Sequence, residues 1–172
     1  MEIIKLHVLN GPAGSMHRKK LIQMTLDIGD LEFRPTNTIE GFSQRLKTLI
    51  PSLYSHRCTD GVPGSFLRNV DAGTCIVDVM AHIALELQGL AGMRTTFSST
   101  EQTDIPGVYH IVFGYHNEDA GLYAALASVE IVEALIKGRP YFIRYDIERL
   151  KSIFDQNQIA AVNKRAPREA AA

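Results

Sequence analysis

The sequence predicts an α+β domain, a mixed or antiparallel sheet with helices packed mainly on one face. Three observations carry this. Residues 2–9 and Val108–Tyr115 place apolar side chains at strand period, whereas about Thr74–Leu90 and Glu118–Lys137 place them at helical period. Strands and helices then follow one another without the regular spacing of βαβ units. The chain has 172 residues, 45% hydrophobic and 22% charged, which suits one soluble domain with a real core.

In the first strand, Ile4, Leu6 and Val8 are expected on one side. Gly11-Pro12-Ala13-Gly14 then makes a turn, followed by the basic cluster His17-Arg18-Lys19-Lys20 and a second strand over residues 20–28. Thr38 has the chemistry of a helix cap, with Phe42, Leu46 and Ile50 at helical spacing until Pro51 and Ser52 end that helix. Residues 55–73 carry the turn formers Gly61, Pro63, Gly64 and Gly73, so an irregular region is expected there, with a short strand around Ser65–Val70. After the helix ending near Leu90, a strand is expected over residues 94–99. The turn Pro106-Gly107 leads into the clearest strand, where Tyr109, Ile111, Phe113 and Tyr115 share one face.

Glu118 and Asp119 suit the start of a long helix, whose dipole favours acids there, and Gly138 with Pro140 closes it after Lys137. A last helix, about Asp146–Asn157, turns Ile147, Leu150 and Phe154 inward. Residues 160–172 lack apolar periodicity. The expected organisation is therefore one domain over residues 1–157 with a linker or tail over 158–172.

Several function classes are disfavoured. Lys plus Arg number 18 against 19 Asp plus Glu, so no net field favours nucleic acid or a membrane surface. No apolar run approaches the roughly 20 residues that span a bilayer, and the N-terminus has no signal-peptide pattern. Cys58 and Cys75 lack metal-knuckle spacing and are expected as reduced thiols of a cytoplasmic protein. No phosphate loop, dinucleotide fingerprint or nucleophile elbow occurs.

The stretch Gly73–Gly92 is the richest in chemistry. Steps of four residues stack Asp78, His82 and Glu86 along one face of an otherwise apolar helix. Such a line must be hydrated in a cleft or paired; the plainer reading is a polar line facing solvent. A metal-hydrolytic helix of the pattern HxxEH supplies two histidine ligands and a glutamate base. Here the five residues are Asp78-Val79-Met80-Ala81-His82. One ligand has become a carboxylate, and Ala81 cannot accept a proton, so the general-base contribution of roughly 10²–10⁴ in rate is expected to be missing.

The chain resembles the N-terminal domain of the cyanophycin synthetase family over about residues 1–157. Carrying the match are Gly11-Pro12, Ser15 with Arg18, Gly41-Phe42, Pro51-Ser52-Leu53, His56 and Gly73-Thr74. Most specific is His82 with Ala84-Leu85-Glu86-Leu87-Gln88 and Leu90-Ala91-Gly92-Met93, followed by Pro106-Gly107-Val108-Tyr109 and Glu118. The resemblance implies a parent enzyme whose ATP-grasp and Mur-ligase-like domains, using ATP and Mg, add arginine and aspartate to cyanophycin, a poly-aspartate backbone with arginine on each side chain. Neither domain fits in 172 residues, so an isolated N-terminal domain is expected, with no cofactor of its own.

In the family this domain is similar to a holder of the growing polymer, and in some members to a metallopeptidase that cuts it into primers. The favoured expectation is a non-catalytic tether. A polymer of guanidinium groups and carboxylates needs side chains of both signs. Glu86, Glu118 and Asp119 are candidates for guanidinium groups; Arg18, Lys20, Arg57 and Arg94 are candidates for carboxylates. A metal-dependent endopeptidase is the alternative, with zinc on Asp78, His82 and Glu118 and a noncognate base such as Glu86. A third reading is architectural, with the domain helping a parent homo-oligomer assemble.

Overall fold

The computed structural model describes residues 1–10, 20–57 and 61–165. Four strands form one antiparallel sheet in the order β1-β2-β4-β3: β1 (Glu2–Asn10), β2 (Lys20–Asp27), β3 (Ser98–Gln102) and β4 (Val108–Gly114). Five helices complete the fold: α1 (Phe42–Leu49), α2 (Ser65–Ala72), α3 (Ile76–Leu90), α4 (Glu118–Lys137) and α5 (Ile143–Arg165).

The central strands β2 and β4 show why the sheet has a helix-covered face. Ile22, Met24 and Leu26 alternate into the core from β2, and Ile111 and Phe113 from β4, all fully buried. Tyr109 and Tyr115 lie on the same side, as their spacing predicts. In β1 the pairing slips between Ile3 and Lys5. This extra residue changes the side-chain phase: Ile3, Leu6 and Val8 pack inward, whereas Ile4, expected with them, is 55% exposed.

Over the sheet lies α3, buried on nearly all sides between the strands and α4. Asn117 caps α4, its side-chain oxygen accepting the Ala120 N–H at 3.2 Å. Gly138, at φ +62°, ends the helix. The Arg45 guanidinium reaches across from α1 and donates to the Leu135 carbonyl at 2.9 and 2.7 Å, satisfying an orphan of that terminus. Within α4, Gly121 permits close approach to the sheet: a Cβ there would stand 2.6 Å from Tyr115 Cβ and 3.2 Å from Ile22 Cγ1. Gly121→Ala is expected to destabilise the fold by about 1–3 kcal/mol through overpacking. A chemical-denaturation midpoint equal to that of the parent chain would contradict this packing.

Four local expectations are corrected. Ser65–Ala72 is helix α2, not a strand: Gly64, at φ +70°, starts it, and Phe66, Leu67 and Val70 bury one helical face. The strand expected at 94–99 is β3 at Ser98–Gln102, an all-polar segment that owes its form to pairing with β4. Thr38 does not cap α1. Its hydroxyl donates to the Pro35 carbonyl at 2.8 Å in a short 3-10 turn, and Gly41 precedes the helix. Finally, α5 starts at Ile143 and continues past Asn157 to Arg165. It is anchored by Leu150 and Ile153, and by the buried Asp146, which accepts the Tyr123 hydroxyl at 2.9 Å. The Gly11–Gly14 turn, Arg18 and Cys58 fall outside the described residues.

Candidate functional site

On α3, His82 of the polar line borders a cleft of about 630 Å³. One wall carries His82 and Leu85 from α3 together with Asn69 from α2. The segment after the 3-10 turn Pro51–Tyr54 supplies His56 and Arg57. Facing them are Thr95, Thr96 and Ser98, where the chain returns from α3 into β3.

His82 is held on three sides. Its ring stacks on Phe66 with centroids 3.9 Å apart and meets the His56 ring edge-on at 5.2 Å. Its Nδ1–H donates to the Asp78 carbonyl at 2.8 Å, which makes Nε2 the basic nitrogen. Burial pushes the pKa of His82 down, outweighing the carbonyl hydrogen bond and the nearby carboxylates. One turn on, Glu86 Oε2 lies 3.4 Å from His56 Nδ1. This imidazole holds the Glu86 carboxyl below its ordinary value, against burial, which pushes it up.

The two depressed pKa values give one direction of pH dependence. As pH falls below about 6.5, the unfolded chain binds the His82 proton before the folded one does. The stability contributed by His82 is therefore present above that pH and lost as pH falls through its folded value. Glu86 adds a loss of the same sign below its ordinary value of 4.5. Urea midpoints measured between pH 7.5 and 5 are expected to fall, and His82→Gln to flatten the upper part of that fall. Equal slopes in both proteins would remove His82 as the cause.

Asp78 lies a turn before His82, and its carboxylate is engaged elsewhere. Thr74 donates to Oδ2 at 3.1 Å, and the Thr100 hydroxyl donates to Oδ1, tying α3 to β3. Ala81, at the position where the hydrolytic pattern carries its base, is buried at 2% exposure.

The remaining sequence candidates are dispersed. Arg57 is exposed at the cleft and donates to the Gly61 carbonyl at 2.8 Å. Exposed Arg94 immediately precedes the Thr95–Thr96 wall. Glu118 and Asp119 are exposed in the first turn of α4. Lys20 starts β2, its Nζ 3.5 Å from the His116 carbonyl. His116 donates its N–H to Gln88 near the end of α3, whereas Asp78 occupies the first turn of that helix. Ten residues at ~1.5 Å per residue separate Asp78 from Gln88 by about 15 Å. Glu118, two residues beyond His116, thus stands at the opposite end of α3 from Asp78. The set Asp78, His82 and Glu118 therefore does not fit one zinc ion.

Sequence reasoning did not single out His56 as a site residue. No helical or strand period runs through residues 55–64, so only the fold could bring His56 against His82 and Glu86.

A family model, the cyanophycin synthase-like N-terminal domain, matches residues 23–137. The chain belongs to this family. It is 41% identical over 157 residues to cyanophycin synthetase of Synechocystis sp., covering 89% of this chain and 18% of that protein. It is 38% identical over 174 residues to that of Trichormus variabilis, covering 99% of this chain and 19% of the relative. With the synthetase of Geminocystis herdmanii it shares 43% identity over 142 residues, 82% of this chain and 16% of the relative. The chain thus spans less than a fifth of the length of these relatives, and the match lies in their N-terminal part. Among the described residues, no helix of this family member is long and apolar enough to cross a membrane.

Proposed function

We propose that this domain binds the growing cyanophycin chain without cutting it, and tethers it for the ATP- and Mg-dependent ATP-grasp and Mur-ligase-like domains of a parent synthetase. The observation that carries this reading is the cleft lined by His56, Arg57 and His82, where His56 Nδ1 lies 3.4 Å from the Glu86 carboxylate. Arg57 at the cleft and Glu86 behind His56 are the two signs of charge that a ligand alternating guanidinium and carboxylate groups calls for. Guanidinium binds carboxylates as a planar fork with two parallel donors, so an incoming arginine side chain competes with His56 for Glu86. Arg57 offers the complementary contact to ligand carboxylates. Each exposed contact is weak, and repeated units strengthen the whole by raising the local concentration of the next unit. A weak grip lets the chain move between two ligase sites.

Two features favour holding over hydrolysis. Ala81 has no proton acceptor, and the Asp78 carboxylate is engaged by Thr74 and Thr100.

The test is incubation of the full chain with soluble cyanophycin, with and without added zinc, following polymer length together with binding. Intact polymer and saturable binding that weakens between about 50 and 500 mM salt are expected. Shortening that a chelator abolishes would overturn the tether and establish the peptidase. Absence of both binding and shortening would leave the architectural role, in subunit assembly of the parent.

A further inference from the structure

The cleft has a second polar boundary besides its side chains, the outer edge of β3. Among the described residues this strand is last in the sheet order, with β4 on one side and no strand on the other. Its hydrogen-bonding phase follows from the two ends of the ladder. The Gly114 N–H donates to the Phe97 carbonyl at 2.8 Å, and the Thr103 N–H donates to the Val108 carbonyl at 2.9 Å. In an antiparallel pair the residues that exchange such bonds alternate. Ser99 and Glu101 therefore direct their backbone groups to β4, whereas Ser98, Thr100 and Gln102 direct theirs outward. Among the described residues, the outward N–H and C=O groups of Ser98 and Thr100 have no protein partner. Ser98 also lines the cleft.

An unpaired edge beside a polar cleft is the arrangement by which extended peptides add to a sheet: main-chain bonds supply affinity, and alternate side chains are read by pockets. We infer that the free edge of β3 takes the poly-aspartate backbone of the polymer as a fifth strand, directing every second arginine-bearing side chain into the cleft at His56 and Arg57, behind which stands Glu86. The backbone of the polymer is an ordinary α-peptide chain, so its N–H and C=O groups match those of Ser98 and Thr100. Successive side chains of a strand point to opposite faces. One set faces the helix layer, with the side chains of Ser98 and Thr100. The other faces the open side of the sheet, where Ser99 and Glu101 are exposed, so Glu101 meets outward guanidinium groups. Every unit of the polymer is identical, so the register can shift by two units without loss, which suits a chain that must advance.

The inference rests on the tether reading, and its test separates the two. Synthetic Asp-Arg oligomers of about eight units are compared with oligomers methylated at every backbone nitrogen. Methylation leaves the side-chain charges intact and removes the N–H donors from both edges of the oligomer, so neither can pair as a strand. With the wild-type chain, the unmodified oligomer is expected to bind on the order of tenfold or more tightly than the methylated one. Equal binding of both overturns edge addition and leaves the tether standing. No binding of either removes the tether and edge addition together. As a second arm, Ser98→Pro deletes an outward N–H that the ladder does not use, whereas Ser98→Ala keeps it. Weaker binding by Ser98→Pro alone supports the edge. Loss of binding in Ser98→Ala and not in Ser98→Pro would overturn it.

Discussion

Glu86→Ala is expected to weaken binding of soluble cyanophycin about 10- to 150-fold, the loss of one charge-assisted contact worth about 1.5–3 kcal/mol. Glu86 is the α3 carboxylate behind the cleft residue His56, half-buried and 3.4 Å from its Nδ1. In that partly dry setting a guanidinium contact is screened less than on the open surface. Glu86→Gln keeps the shape and removes the charge, so it should reproduce most of the loss if electrostatics dominates. By contrast, Glu118→Ala should change affinity little, because that residue stands exposed at the far end of α3 and its pairing with ligand would be solvent-screened. Isothermal titration of the three variants with one polymer preparation decides the matter. Unchanged affinity in Glu86→Ala would remove Glu86 from the site, and a larger loss in Glu118→Ala would move the polymer to the opposite end of the helix.

The second large effect is on stability. Phe113→Ala is expected to cost about 3–5 kcal/mol, the loss of buried ring surface plus the cavity left behind. Phe113 is fully buried on β4, directly opposite Ile22 of β2 and Ser98 of β3. Close packing of Gly121 above Ile22 leaves little room for the helix layer to settle into the void. Because Ser98 is both the neighbour of Phe113 and part of the cleft, the same substitution should loosen the cleft wall. Denaturant unfolding gives the first quantity. Amide exchange along residues 98–102 gives the second. A loss below ~1 kcal/mol would mean that the sheet and α4 repack freely around this position.

The elements with strong local patterns were legible in the chain. The alternation of Tyr109, Ile111, Phe113 and Tyr115, and the span of α4 from its acidic first turn to Gly138, depend on local periodicity and terminus chemistry, which act within a few residues. The weaker elements were not. The segment Ser98–Gln102 has no apolar face, and what makes it a strand is β4 beside it. The helix Ser65–Ala72 is only eight residues long and flanked by glycines, so its apolar face becomes decisive only once a core exists to receive it. In β1 the one-residue slip at Ile3 and Lys5 reversed the phase of Ile4, which no alternation count anticipates.

The site divides in the same way. Helical geometry alone stacks Asp78, His82 and Glu86 and exposes the broken base position at Ala81, because steps of four are set by the backbone and need no tertiary partner. Which of these groups face a ligand was a matter for the fold. Asp78 turned to Thr74 and Thr100, Glu86 to His56, and Glu118 came to rest beyond the Gln88 end of α3, which helix rise sets about 15 Å from Asp78. Family membership, the α+β class and the chemistry along α3 were thus determined by the sequence itself. The partner of each charge, and the cleft they border, were decided only when residues far apart in the chain were packed together, since hydrogen bonds and ion pairs depend on distances that local periodicity does not set.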